Sequence, residues 1–149
     1  MKNIIIFFAI LVGISSIGLA QDTIPKVVVP PKAVRKTFKE RFPDAKNIKW
    51  EKEDAREYEV TFRNKTTRKS ATFNNKGELL ETETGISFLD LPEKVQKAYL
   101  AKHPNSKPIR ITKIETARGI ITYETAIKGE EKMIKNFFNP DGIEIPLQK

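Results

Sequence analysis

The chain has 149 residues, with 27 Lys or Arg against 19 Asp or Glu (formal net charge +8), one histidine and no cysteine. Without cysteine there are no disulfides, no thiolate metal ligands and no cysteine nucleophile, so an exported fold of this length must hold by packing alone. The basic residues interleave with acidic ones instead of forming a stripe, which argues against nucleic-acid binding.

Met1-Lys2-Asn3 is a short basic start, Ile4 to Ile14 is almost wholly apolar, and Gly18-Leu19-Ala20 puts small residues where a signal peptidase reads. The pattern predicts a signal peptide over residues 1–20, cut near Ala20/Gln21, and its apolar run is shorter than the ~18–20 residues of a spanning helix. A periplasmic or secreted protein with no membrane span is expected, and the lack of cysteine suits a bacterial periplasm. The mature chain of 149 − 20 = 129 residues is one domain's worth. Residues 21–28 read as a proline-punctuated, flexible leader.

Pro30-Pro31 then opens a helix, and Val34, Phe38 and Phe42 form an apolar stripe that Pro43 ends. Ile48 and Trp50 are expected to share the inward face of a strand, with Lys49 and Glu51 outward. Tyr58, Val60 and Phe62 alternate against Glu57, Glu59 and Thr61, the mark of an antiparallel strand with one buried and one wet face. Ala71 and Phe73 supply the next inward set, Asn74-Asn75-Lys76-Gly77 a hairpin loop with left-handed glycine, and Glu78 to Glu83 a short acidic fourth strand.

The same pattern returns, with Ile109, Ile111 and Ile114 expected where Ile48 and Trp50 stand in the first copy. At an offset of 61, Pro31 falls on Pro92, Val34 on Val95, Phe38 on Tyr99 and Pro43 on Pro104; at 65, Tyr58 meets Tyr123, Phe73 meets Phe138 and Gly77 meets Gly142. The expected organisation is repeat 1 over 29–83, a linker over 84–89 and repeat 2 over 90–149. The fold class is α+β, a tandem repeat of a helix plus a three- to four-stranded antiparallel sheet. Each copy of about sixty residues is too small to be stable alone, so the two are expected to share a core or a continuous sheet.

The inventory of chemistry is thin. His103 takes the helix position of Phe42 and reads as a half-buried packing residue, with no nucleophile or orienting partner. The pairs Glu51/Glu53 and Glu57/Glu59 each share one strand face, where solvated carboxylates are expected. The turn Asn139-Pro140-Asp141-Gly142 lacks the spacing and the bidentate glutamate of a calcium loop. No catalytic residue, cofactor or metal site is assigned. The better candidates are residues opposite the core: Phe137, Met133 and Lys135, with Arg110, Thr112, Thr122 and Glu124 on the same side, as a protein-contact patch. The alternative is that a chain terminus covers Phe137. A second class of function, contact with a small ligand or an anionic surface, would use Lys36, Lys39 and Lys97 on the helix faces.

The segments VPPKAVRKTFKERFPDAKNIKWEKED, YEVTF, ATFNNKGELLETET and LPEKVQKAYLAKHP, taken in order, resemble the beta-lactamase-inhibitor-like, PepSY-like family of small exported Bacteroidetes proteins. The resemblance covers residues 29 to 145. It implies a helix laid across an antiparallel sheet in each copy, and a sheet face presented to a target enzyme or peptidase. The second copy departs from the first at Ile111, which replaces Trp50, and at Asn136, which replaces Ala71. A protein partner of unknown identity and no enzymatic activity are what the resemblance and the thin inventory together predict.

Overall fold

The computed structural model describes residues 27–146; the signal-peptide segment and most of the leader lie outside them. Two helices, α1 (Lys32–Arg41) and α2 (Glu93–Lys102), accompany eight strands. The strands are β1 (Lys46–Lys52), β2 (Glu57–Asn64), β3 (Thr67–Asn74), β4 (Leu79–Gly85), β5 (Arg110–Thr116), β6 (Ile121–Lys128), β7 (Met133–Phe138) and β8 (Glu144–Ile145). They form one antiparallel sheet in chain order, so every strand connection but one is a short turn, and the exception, between β4 and β5, carries α2.

The repeat is visible in backbone geometry. Pro31 and Pro92 precede the helices with φ/ψ of −53°/153° and −54°/143°, extended values that proline favours and that place the next residue at the start of a helix. Phe42 and His103 close them at −131°/61° and −133°/63°, each donating its N–H to the carbonyl four residues back. The prolines that follow cannot continue the helix.

Each helix covers its own half of the sheet, and the two cores stay separate. Under α1, Val34 and Phe38 pack on Val60, Phe62, Ala71 and Phe73, with Phe42, Trp50, Tyr58 and Leu79 around them. Phe38 is the hub, with ring centroids 5.2 Å from Trp50 and from Phe62 in edge-on geometry. Burying such a ring contributes roughly 2–3 kcal/mol. Under α2, Leu91, Val95 and Tyr99 pack on Ile111, Tyr123, Ile127 and Phe138. The halves join through the β4–β5 ladder, from Glu81 opposite Thr116 to Gly85 opposite Thr112. A continuous sheet, not a shared core, thus unites the copies.

Two expectations about strand faces need correction. Ile48 is 47 % exposed, not a core partner of Trp50, because the β1–β2 register slips between Lys46 and Lys49 and Asn47 sits at φ 53°. That bulge removes Ile48 from the alternation and bends an edge strand that already carries three lysines, a combination that blunts an open edge. Of the isoleucines expected to replace Ile48 and Trp50, Ile111 enters the α2 core, Ile109 is 65 % exposed, and Ile114 is buried on the opposite face, across from Thr122.

Candidate functional site

Strand register decides what the other face presents. Residues directly opposite in an antiparallel ladder point the same way. Thr112, Glu124, Phe137 and Ile145 are successive partners across β5 to β8, away from α2. Arg110, Ala126 and Lys135 form the neighbouring row. In the first half, Glu51, Glu59, Thr72 and Glu81 form the corresponding row across β1 to β4, away from α1. Among the described residues no helix lies on this face, so the sheet shows one broad helix-free side.

The structure brings together on that face the residues expected to share it, but not as an evenly exposed patch. Met133 is 41 % exposed, Phe137 and Lys135 are half-buried, and Arg110 is exposed. Phe137 and Ile145 line a shallow open hollow with Lys135, Glu144 and Pro146. Glu124 is different: its side chain is fully buried on the central strand of the half-sheet, so it cannot be a direct contact residue. Its carboxylate accepts from Arg110 at 3.0 Å on one flank and from Lys135 at 3.2 Å on the other. A buried carboxylate of this kind is tolerable only when charge and hydrogen bonds both reach it. Glu124 thereby fixes two cations on this face.

The acidic pairs are not the solvated groups that alternation suggests. Glu51, Glu53 and Glu59 are half-buried, with carboxylate oxygens from each within 4.8 Å of one another. Burial first, then a hydrogen bond and repulsion from Glu59, push Glu53 up to about 7. On β4, burial and then repulsion from Glu59 and Glu57 raise Glu81 to about 7. Burial and then repulsion from Glu81, Glu59 and Glu124 raise Glu83 to about 8, although Ser70 hydrogen-bonds its carboxylate. Sequence reasoning missed Glu81 and Glu83 as site residues. The only available signal was the acidic character of LLETET, since their burial depends on which strand lies alongside. Among the described residues the Glu51/Glu53/Glu59 trio is the group whose charge and spacing could hold a cation, and no histidine or further carboxylate joins it.

The helix lysines are less distinctive. Lys36 pairs with Glu40 at 3.9 Å and Lys97 with Glu93 at 2.6 Å, both exposed i, i+4 pairs; Lys39 is exposed. Exposed pairs of this kind contribute little. His103 is half-buried: its ring lies 5.1 Å from that of Tyr99, and Nε2 is 2.7 Å from Asn136 Oδ1. Among the described residues no helix is long and apolar enough to cross a membrane.

The comparisons agree with this architecture. A family model described as "Putative beta-lactamase-inhibitor-like, PepSY-like" matches residues 19–70 and 56–139, two overlapping passes along the chain. A DUF2874 family protein from Bacteroides ovatus superposes with a TM-score of 0.70 at 24 % identity, covering 80 % of this chain and 86 % of that one. A "putative periplasmic" protein from Bacteroides eggerthii gives 0.73 at 17 % identity, covering 80 % and 88 %. A BLIP-like protein from Bacteroides fragilis gives 0.65 at 21 % identity, covering 80 % and 85 %. These likenesses establish a shared fold. No curated protein matches the chain. The family model spans most of the sequence, and the chain belongs to the beta-lactamase-inhibitor-like, PepSY-like family, whose type is a non-catalytic binding protein.

Proposed function

We propose that this protein is an exported, non-catalytic binding module that docks a protein partner on the helix-free face of its sheet and so restrains or regulates a periplasmic enzyme. The observation that carries the reading is the face itself: eight strands wide, free of helices among the described residues, with Met133 and Phe137 along β7 on either side of Lys135 and the cations held by Glu124. An aromatic set among fixed charges is the composition of an interface centre. The family's beta-lactamase-inhibitor-like description supports an enzyme as the class of partner, and a neighbour described as a putative periplasmic protein supports the compartment.

The reading on anionic surfaces through Lys36, Lys39 and Lys97 has less support, because two of the three lysines already face a glutamate on their own helix.

Cross-linking in intact host cells followed by identification of the captured protein gives the partner. Phe137→Asp and, at a more exposed position, Met133→Asp should then each weaken the purified complex about tenfold or more, while melting shows a folded protein. Unchanged affinity in both folded variants overturns the assignment of this face.

A further inference from the structure

The two halves of the helix-free face differ in charge. In the second half the fully buried carboxylate, Glu124, is met by two cations. In the first half the register gathers six carboxylates: Glu51 from β1 and Glu53 just past its end, Glu57 and Glu59 from β2, Glu81 and Glu83 from β4. Glu51 is directly opposite Glu59, and Glu59 and Glu81 flank Thr72 on its two sides. With strands about 4.8 Å apart, the row extends over roughly 15 Å.

The neighbours on this face neutralise it only at one edge, where Lys49 forms an ion pair with Glu51. β3 contributes Ser70 and Thr72 between the acids, and β5 contributes Thr112, Ile114 and Thr116. The cations of the face stand at its margins: Lys49 beside Glu51, and Arg63 opposite Arg68 near the turn of the β2–β3 hairpin. Arg110 is engaged with Glu124. Like charges directly across a ladder are destabilising, and the fold does not demand them. At the equivalent places of the second copy stand Thr112 for Glu51, Ile114 for Glu53 and Thr122 for Glu57, while Glu59 keeps an acidic counterpart in Glu124. A concentration of carboxylates that the architecture does not need, on the one helix-free face of a chain with net charge +8, is suited to positive charge from outside, which favours their charged form.

We propose, building on the docking reading above, that the first half of this face receives a cationic protein segment whose lysine or arginine side chains lie along the row formed by Glu51, Glu59, Glu81 and Glu83. Docking is then coupled to proton release. Burial and mutual repulsion hold Glu53 and Glu81 at about 7 and Glu83 at about 8, so near neutrality these groups carry protons that an arriving cation expels.

A deca-lysine peptide is the probe, titrated calorimetrically into the purified protein at pH 7 and 150 mM salt in two buffers of different ionisation enthalpy. A protein of net charge +8 repels such a peptide overall, so saturable binding reports a local acidic face. Expected are one-to-one binding, release of about one proton or more, and affinity about tenfold or more weaker in Glu59→Gln/Glu81→Gln/Glu83→Gln. That variant keeps the side-chain shapes and removes repulsion, so it stays folded. Glu40→Gln/Glu93→Gln, on the helices, should change nothing. Absence of saturable binding, or equal weakening by the helix pair, overturns the proposal. So would salt-sensitive dimers abolished by the triple variant, which would make a second copy's basic α1 face the occupant. A captured partner lost with Phe137→Asp but indifferent to the triple variant leaves the docking reading standing and removes the cationic segment. A partner indifferent to both removes both.

Discussion

Gly142 lies against the backbone of Lys94, so close that a Cβ on it would sit 2.5 Å from the Lys94 carbonyl oxygen. Gly77 meets Ala33 in the same way, at 2.8 Å, and the two pairs are related by the repeat offsets of 65 and 61. In each copy the last hairpin turn is thus pressed onto the first turn of the helix, which locks helix to sheet. Both glycines also have positive φ, 76° and 87°, where an L side chain is strained. Gly142→Ala and Gly77→Ala should each destabilise by about 2–4 kcal/mol. Thermal melting should show a drop of roughly 10 °C; a change within 2 °C of wild type would mean that the turn is not packed as described.

Thr125 occupies in the second copy the place that Val60 holds in the first, and both are fully buried. The Thr125 hydroxyl has no hydrogen-bond partner among the described residues. A buried hydroxyl that has given up water for nothing costs about 1–3 kcal/mol, and an isosteric methyl removes that cost. Thr125→Val is therefore expected to stabilise by about 1 kcal/mol, read as a higher denaturant midpoint with an unchanged slope. A destabilised variant would show that the hydroxyl is satisfied.

How far these features could be read from the chain depends on how local their causes are. Pro31, Pro43, Pro92 and Pro104 bracket both helices because proline acts on its immediate neighbours. Tyr58, Val60 and Phe62 announce an inward face by alternation, and Gly77 and Gly142 announce left-handed turns. Ile48 misled because a single left-handed residue, Asn47, shifts the register, and nothing in the local pattern marks it. Ile114 misled because it fills the helix-free face, where alternation predicts polar residues. Glu81, Glu83 and Glu124 were the hardest to place. Their burial comes from strands brought alongside by tertiary pairing, and the same letters on an edge strand would be solvated.

His103 and Asn136 replace Phe42 and Ala71 of the first copy, and the two substitutions belong together. Asn136 is buried, its Oδ1 takes the 2.7 Å bond with His103 Nε2, and its Nδ2 donates to Glu144 at 2.9 Å. Because Oδ1 can only accept, His103 donates from Nε2. Glu144 also receives Lys102, which lowers its carboxyl below the usual range, so β8 is tied to α2 through polar groups. Asn136→Ala alone strands His103 and should cost about 2 kcal/mol. His103→Phe/Asn136→Ala rebuilds the apolar pair of the first copy and should cost less than the sum of the single changes by about 1 kcal/mol. Additive effects in a double-mutant cycle would show that the two side chains act independently.

The acidic row sets the pH response of the fold. Glu81 at about 7 and Glu83 at about 8 are raised from 4.5, so between about pH 4.5 and 8 the folded protein holds protons that the unfolded chain has released. Stability must therefore fall as pH rises through this window and level off above it, with a penalty at pH 8.5 of the order of 2 kcal/mol once partial exposure is discounted. At the acid end the sign reverses. Glu144 and Asp90 are held below their ordinary values, by Lys102 and by Ser87, and the stability they contribute is lost as pH falls through their folded pKa values. The maximum should lie near pH 5, unusually low for a chain of this basic charge. Glu83→Gln tests the cause: it removes the ionisation and keeps the hydrogen-bonding reach to Ser70. Chemical denaturation at pH 5 and pH 8.5 should show the wild type losing stability across the interval and the variant losing distinctly less. Equal losses would mean that Glu83 ionises in the folded sheet as readily as it does in water, and the coupling between docking and proton release would lose its largest contributor.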